Sequence, residues 1–291
     1  MMKVESQRCK ICGGSGKIVH KGTRDNANIN VYECVKCGTK FLVSEENYKR
    51  DYESGYMHQS VANIVSETMS KKQISEDDIR RYYMVCNECS GKRILDFGCG
   101  FGGFLLKIKP DVKECFGVEL GQKELEYIST HGIECKKNIE EYSMKFDVIT
   151  LFHVFEHLEN PKEWLLKFSE YLVPGGKLII EVPNSKDALL ELYKNKKFAD
   201  FTYWSAHLFL YTSESLTQLI NSTHKYNILE KTQIQRYSIA NHLYWLAEGK
   251  PGGQAQWKNL DSRALNDSYA EKLRELGMCD TLYFVLERNV L

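Results

Sequence analysis

A strand-like apolar run that breaks into clustered glycines constrains the fold of this chain more than any other feature. Arg93–Phe97 is that run, and Gly98, Gly100 and Gly103 follow it. Glycine has no Cβ, so a turn of this kind lets backbone N–H groups approach a ligand closely where a helix begins. Glu119, about twenty residues further on, is well placed to bind ribose hydroxyls. The pattern predicts a nucleotide-like cofactor and leaves open which one.

The composition narrows the class of protein. Hydrophobic residues make up 43% and charged residues 27% of the 291 residues, as in ordinary soluble proteins. The 39 basic and 39 acidic side chains cancel, which argues against a protein whose main task is to coat nucleic acid. No apolar run approaches the roughly 18 residues of a membrane span, and the N-terminus lacks the apolar core of a signal peptide. We expect a cytoplasmic protein whose ten cysteines are reduced thiols.

Three regions follow one another along the chain. Residues 1–45 resemble a small zinc-ribbon-like module, and residues 46–90 form a predicted helical linker or lid. From residue 91 to 291, strands alternate with helices, which predicts an α/β fold with a Rossmann-like, doubly wound sheet. Residues 237–280 form an insertion near the end of this domain, and its length favours a role at the substrate side.

The same alternation predicts individual strands and helices. Phe146–Phe152 and Lys177–Val182 read as buried strands, and Pro161–Leu172 reads as a helix with proline near its start. Pro174, Gly175 and Gly176 predict a turn between that helix and the second strand.

Two cofactor classes fit the glycine turn. The spacing of its glycines matches the dinucleotide fingerprint G-x-G-x-x-G, which is weak evidence alone. Asp96 precedes the first glycine by two residues, and a carboxylate there would repel a pyrophosphate but could hold a cationic amino group. Downstream come a strand from Phe146, the segment His153–Leu158 with its Glu-His-Leu end, and the Leu-Val-Pro-Gly-Gly-Lys-Leu run from Leu172.

With these motifs in this order, residues 90–235 closely resemble the class I S-adenosylmethionine-dependent methyltransferases, in the subgroup that modifies small molecules and sugars. The resemblance implies that Asp96 and Gly98 flank the methionine part of the cofactor and that Gly100 allows close backbone approach. It places Glu119 at the ribose, Asn138 near the adenine and His153 at the sulfonium end. The whole implied cofactor set is Asp96, Gly98, Gly100, Glu119, Leu120, Asn138, Ile139 and His153. Asn138 stands where the family often has Asp.

Two C-x-x-C pairs lie in the N-terminal module, at Cys9 and Cys12 and at Cys34 and Cys37. Each knuckle points two thiolates at one point, so the two knuckles predict a closed tetrahedral zinc site with a structural role. A redox or iron centre is the alternative. A third C-x-x-C, beginning at Cys86, has no second pair and reads as an ordinary helical segment.

Two histidines are the candidate general bases, since imidazole exchanges protons near neutral pH. His157 follows a strand at the edge where open α/β sheets place their sites. His207 precedes a helix that Ser213 is placed to cap, and the family resemblance puts it at the active-site mouth. For each, the alternative is a structural hydrogen bond that braces a loop.

The substrate candidates lie later in the chain. Tyr203, Arg236, Asn241 and His242 combine polar and aromatic groups that suit an anionic or sugar-containing substrate. The apolar spacing around Ile239 also reads as ordinary helix core.

Three functions remain open from the sequence. The leading expectation, by resemblance, is a methyltransferase for a small polar metabolite, such as a nucleotide-linked sugar or a capsule or surface-polysaccharide precursor, with O-methylation favoured over C-methylation. The second is an RNA base methyltransferase that grips RNA with its zinc ribbon, although a nucleic-acid partner is disfavoured by the neutral charge. The third is a cofactor-binding protein that has lost catalysis. The oligomeric state stays open.

Overall fold

A computed structural model describes residues 7–43 and 74–290. Part of the predicted helical linker therefore lies outside the described residues. The strands are β1 Gly16–His20, β2 Val31–Cys34, β3 Lys40–Leu42, β4 Arg93–Phe97, β5 Glu114–Val118, β6 Glu134–Lys136, β7 Phe146–Phe152, β8 Leu172–Pro183, β9 Phe209–Leu210, β10 Tyr226–Ile234 and β11 Thr281–Arg288. The helices are Glu76–Cys89, Gly103–Ile108, Gln122–Thr130, Pro161–Tyr171, Ala188–Glu191, Lys196–Thr202, Ser213–Asn221, Ile239–Glu248, Gly253–Gln256 and Arg263–Glu275. Among the described helices, none is long and apolar enough to cross a bilayer.

The central sheet has seven strands in the order β10-β11-β8-β7-β4-β5-β6. The five strands from β8 to β6 are parallel, and β11 and β10 add antiparallel pairs at one edge. Side chains along each strand alternate between two cores; Ile94 of β4 belongs to one core and Leu95 to the other. The α/β, Rossmann-like fold expected from the sequence is confirmed.

The order of the strands creates a switch point beside β4. The chain passes from β4 outward through β5 and β6, and then returns to β7 on the other side of β4. A crevice opens at the carboxyl ends of strands where the order reverses in this way. The glycine turn after Phe97 and the segment after Phe152 both begin at this crevice.

The predicted turn at Pro174–Gly176 lies inside β8 instead of before it. The β7 residues Phe146 and Val148 pair with Leu172 and Lys177, so two steps along β7 match five along β8. Gly175 adopts a positive φ of 73°, which glycine tolerates. The residues predicted to form a turn instead form a bulge within one long strand, because a bulge uses the same turn-forming residues as a loop.

The cysteine module packs on the domain through a shared sheet. Its strands β1, β2 and β3 continue into β9 in one antiparallel sheet. Lys40 is buried and donates to the backbone oxygen of Ser185 at 2.6 Å, and the Ser185 hydroxyl donates to the carbonyl of Gly38. The module is therefore a wall of the domain on the side where His207 precedes β9.

The insertion between β10 and β11 is helical. Its longest helices are Ile239–Glu248, capped by Ser238, and Arg263–Glu275, capped by Ser262. In each, the cap hydroxyl accepts a backbone N–H from the first turn. The helix Arg263–Glu275 packs through Leu273 on Ala188 and Cys279, beside the carboxyl end of β8 and the amino end of β11.

Candidate active site and cysteine cluster

A cavity of about 510 Å³ lies at the switch point of the sheet, a volume within the range of small-molecule sites. Its wall contains seven of the eight residues predicted to bind the cofactor, and His157 in addition. These seven are Gly98, Gly100, Glu119, Leu120, Asn138, Ile139 and His153. We call it the larger cavity.

The glycine turn shapes one side of the larger cavity. Gly98 and Gly100 have φ values of 76° and 54°, a region that side chains with a Cβ rarely adopt. A Cβ built on Gly98 would collide with Val154, whereas one on Gly100 would meet no atom within 4 Å. Gly98 is therefore required for packing, and Gly100 leaves room in the cavity for a ligand.

Glu119 is buried at the end of β5 and is held by the turn itself. One carboxylate oxygen accepts the Gly100 N–H at 2.9 Å, and the other accepts the N–H groups of Leu120 and Gly121 at 2.8 and 3.0 Å. These bonds fix a negative charge in the wall of the larger cavity. A ligand with paired hydroxyl groups suits such a carboxylate.

Asn138 and Ile139 form the opposite rim. Asn138 caps the short turn Ile139–Glu141, and its backbone N–H donates to Glu141 at 2.9 Å. Ile139 is fully buried and, with Val118, presents an apolar surface beside this polar edge. The combination of an apolar slot and a fixed carboxylate fits an adenosine group.

Asp96 is the one predicted cofactor residue that the larger cavity does not include among the described residues. It is 4% exposed and accepts the Thr150 hydroxyl at 2.7 Å. Burial raises the pKa of Asp96 to about 7, and the Thr150 hydrogen bond opposes that shift. Its contact with an amino group of the ligand stays a prediction.

A second cavity, of about 220 Å³, adjoins the first, and His153 lines both. We call it the smaller cavity. Three of the four predicted substrate residues, together with the predicted base His207, line it: Arg236, Asn241 and His242. Tyr203 does not, because its ring packs with Val31, Leu42 and Leu210 against the cysteine module.

His153 sits at the junction in an uncommon conformation. Its φ is 57°, unusual for a residue other than glycine, and its backbone N–H donates to the backbone oxygen of Glu181 at 2.8 Å. Arg236 donates to its Nε2 at 2.9 Å. Strained backbone at such a junction is typical of functional sites, where the surrounding structure holds it in place.

Arg236 is not available to bind an anion. Its guanidinium pairs with Asp77 of the helix Glu76–Cys89, with Nε 3.2 Å from a carboxylate oxygen. Burial would raise the pKa of Asp77, but Arg236 holds it well below its usual range. No sequence motif links these two residues, which lie 159 positions apart.

Two buried acids that the sequence did not single out line the smaller cavity. Burial, with the nearby charge of Asp280, raises the pKa of Asp187 to about 8, and burial likewise raises the pKa of Asp280. Asp187 caps a helix by accepting the Leu189 N–H at 2.7 Å. A pKa of about 8 leaves Asp187 protonated at pH 7, where its carboxyl both donates and accepts hydrogen bonds and so suits hydroxyl groups better than phosphates.

The two predicted bases face each other across the junction. The rings of His157 and His207 are 5.1 Å apart, and His157 Nδ1 lies 2.8 Å from the carbonyl oxygen of Ala206. Burial lowers the pKa of His207 to about 3, and its buried Nδ1 has no hydrogen-bond partner among the residues that the structure describes. Glu156 lies beside both.

The four cysteines of the N-terminal module converge as predicted. The Sγ atoms of Cys9, Cys12, Cys34 and Cys37 all lie within 4.8 Å of one another; Cys12 and Cys34 are 3.3 Å apart, and Cys9 and Cys37 are 3.8 Å apart. Tetrahedral zinc with bonds of about 2.3 Å requires S–S separations of about 3.8 Å. The cluster therefore fits a four-thiolate metal.

A glycine turn and a fixed carboxylate at the switch point of a Rossmann-like sheet define an α/β protein that binds a nucleotide-like cofactor. A model of the family described as "Methyltransferase domain" matches residues 74–224, just over half of the chain. The chain belongs to this family of methyltransferases.

Individual relatives are more distant. The chain is similar to the ubiquinone biosynthesis O-methyltransferases of Proteus mirabilis (28% identity over 106 residues) and Idiomarina loihiensis (29% over 106 residues). Each match covers 32% of this chain and 43% of the relative, so the chain spans under half the length of these relatives.

Solved structures are similar over a larger share of the chain. The N-methyltransferase NodS of Bradyrhizobium japonicum, in complex with S-adenosyl-L-homocysteine, aligns with 15% identity and a TM-score of 0.45 over 74% of this chain and 87% of that one. An S-adenosylmethionine-dependent methyltransferase of Clostridium acetobutylicum aligns with 14% identity and a TM-score of 0.47 over 80% and 99%.

Proposed function

We propose that this protein is an S-adenosylmethionine-dependent methyltransferase that methylates a hydroxyl group of a small polar metabolite. The observation that carries the proposal is the pair of adjoining cavities with His153 in both walls. The larger cavity would hold the cofactor through Glu119 at the ribose and Ile139 at the adenine. When bound, the cofactor supplies an electrophilic methyl group, and the smaller cavity would present the acceptor to it.

The residues of the smaller cavity favour a neutral, hydroxyl-rich acceptor. Arg236 is already paired with Asp77, while Asp187 and Asn241 offer hydrogen bonds to hydroxyls. The aromatic rings of Phe198 and Trp245 add an apolar face on which a sugar ring can stack. A nucleotide-linked sugar or a capsule precursor fits if its sugar enters and its phosphates stay outside.

The acceptor hydroxyl must lose its proton, and His207 and His157 are the side chains placed to accept it. The low pKa of His207, about 3, keeps this ring neutral at pH 7 but also makes it a weak proton acceptor, so we assign the role of base to His157 first. Binding in two adjoining cavities also orients the acceptor toward the methyl group. When the reacting groups are held close, orientation lowers the activation barrier more than proton removal does.

We also propose that the four cysteines hold one structural zinc ion. A closed thiolate shell has no open position for water, and the small module needs the metal to fold. Through β9 and Lys40 the metal would support the wall of the smaller cavity.

A screen with isotopically labelled S-adenosylmethionine tests the function. Nucleotide-sugars, free sugars and simple phenols are offered, and methylated products are identified by mass spectrometry. We expect label in a sugar hydroxyl. Label in a phenol alone would contradict the sugar assignment, and no product together with no measurable binding of S-adenosylmethionine would contradict the proposal as a whole.

A further inference from the structure

We propose a second metal site in this protein, in which Glu156, His157 and His207 bind one divalent transition-metal ion at the junction of the two cavities. One ligand atom from each side chain lies within 4.8 Å of the other two. The site is separate from the four cysteines and uses harder ligands.

Glu156 is the strongest indication. It is 0% exposed, and neither carboxylate oxygen has a hydrogen-bond partner within the described residues. An ionised carboxylate buried in this way is costly unless a cation or several donors compensate it. The nitrogens nearest its Oε1 are those of His153 at 3.5 Å and His157 at 3.9 Å.

The hydrogen bond of His157 orients a lone pair toward this carboxylate. Its Nδ1 lies 2.8 Å from the Ala206 carbonyl, and a carbonyl oxygen only accepts, so Nδ1 carries the proton. Its Nε2 then lies on the side of Glu156, 3.9 Å from Oε1, so a cation between the two side chains would be bound by both. A backbone carbonyl on the far ring nitrogen is also the usual support of a metal-bound histidine.

His207 completes the set from another part of the chain. Its Nδ1 is buried and has no hydrogen-bond partner in the described ranges 7–43 and 74–290, and its ring centroid is 5.1 Å from that of His157. The residue precedes β9, which the cysteine module holds in place.

His153 has an outer role in this arrangement. Its Nε2 lies 2.9 Å from Arg236 Nη1 and 3.3 Å from Glu181 Oε1, so this nitrogen is already occupied. Its Nδ1 faces Glu156 Oε1 at 3.5 Å, and the ring therefore lies beside the carboxylate without a hydrogen bond to it.

Two imidazoles and one carboxylate favour zinc, cobalt, iron or nickel over magnesium and calcium. Three protein ligands leave coordination positions open, as in catalytic metal sites. The role of the ion rests on the proposed function: the acceptor oxygen would bind the cation, its O–H bond would break, and the proton would pass to water. The bound oxygen would then attack the methyl carbon and displace the sulfonium sulfur, which leaves as S-adenosylhomocysteine. With the ion bound, His157 and His207 would act as its ligands, in place of the base role that the reaction without a metal would give them.

Metal analysis of the full-length protein tests the site without relying on turnover. After dialysis against a moderate chelator, we expect one tightly held ion in the cysteine cluster. Titration with Co²⁺ should then add one further ion, with the weak visible bands of nitrogen and oxygen ligands and no thiolate charge-transfer band.

Glu156→Gln and His207→Ala should each abolish the added Co²⁺ and leave the cysteine-bound ion in place, and His131→Ala is the matched control that should bind like the wild type. Binding of no Co²⁺ by folded wild-type protein at about 100 µM would overturn the site, even if both variants fail to fold. Equal Co²⁺ binding by Glu156→Gln and wild type would overturn it as well.

The two proposals can fail separately. Methyl transfer that survives complete removal of the labile ion would overturn its catalytic role and leave the methyltransferase proposal intact. A bound ion without methyl transfer to any acceptor would contradict the methyltransferase proposal and leave the metal site intact.

Discussion

The two adjoining cavities are built in different ways. The larger cavity takes most of its wall from consecutive segments between Phe97 and Trp164, at the ends of neighbouring parallel strands. The smaller cavity combines His153 with residues from Pro183 to Thr281, and it depends on Asp77 and the cysteine module for support. A cavity made at a sheet edge is set by local motifs, whereas one made from distant segments is set by the contacts that hold those segments together. The cofactor side should therefore withstand changes that disable the acceptor side.

The largest expected effect comes from removing the proposed zinc. Cys34→Ser should lose one zinc ion per chain and about 4 kcal/mol or more of stability, because the module would lose its closed shell. Elemental analysis and chemical denaturation measure both. In the protein that remains folded, the affinity for S-adenosylmethionine should be unchanged while acceptor turnover falls.

Cys86→Ser is the control for that variant, since Cys86 lies in the helix Glu76–Cys89 away from the cluster. It should retain its zinc and its stability. A Cys34→Ser protein with full zinc content would rule out the four-cysteine site.

The reverse test blocks the larger cavity. In Gly100→Val the new side chain would stand in the space that a ligand needs, and we expect about a 100-fold loss of S-adenosylmethionine affinity, or roughly 3 kcal/mol. Isothermal titration calorimetry measures it. Gly91→Val is matched, because Gly91 also has a positive φ of 66° and open space around it but lines neither cavity. Equal affinity in the two variants would show that strain, and not occupancy, is responsible.

The local motifs of the larger cavity could be predicted from the sequence for a physical reason. Gly98 and Glu119 follow neighbouring strands, and the carboxyl ends of parallel strands meet at one edge, so spacing along the chain predicts proximity in space. The cysteine site could also be predicted, because each C-x-x-C pair places two metal ligands close together by itself. The sheet and most of the larger cavity could be predicted on these grounds.

The smaller cavity could not be predicted in this way, because it depends on contacts between distant residues that produce no periodic pattern in the sequence. The pairs Asp77–Arg236 and Lys40–Ser185 join residues more than a hundred positions apart. Glu156 could have been noticed as a charge in a buried segment, but only the fold brings His207 to it. Tyr203 was chosen for its place beside polar and aromatic residues, and the structure puts its ring in a separate core.

A smaller effect should follow from loosening the smaller cavity alone. Asp77→Asn removes the charge that holds Arg236, so the acceptor KM should rise about 10-fold, near 1.4 kcal/mol, with cofactor affinity unchanged. Steady-state kinetics with the acceptor found in the screen measures this. Asp267→Asn is the control, because its ion pair with Arg263 is exposed. A parallel loss of cofactor affinity in Asp77→Asn would contradict the separation of the two cavities.

The smallest expected effect is a pH dependence of stability that arises in the smaller cavity. Burial lowers the pKa of His242 to about 4, from about 6.5 in an unfolded chain. The unfolded state therefore binds the extra proton first, and the contribution of His242 to stability is present above pH 6.5 and is lost as the pH falls toward 4. Urea unfolding at pH 7, 6 and 5 should show the wild type losing up to about 1.4 kcal/mol per pH unit more than His242→Gln. The buried acids Asp187 and Asp280 are present in both the wild type and His242→Gln, so their titration does not contribute to the difference in slope between the two. Identical slopes would mean that His242 is hydrated in solution, and the smaller cavity would then be as open to water as the larger one.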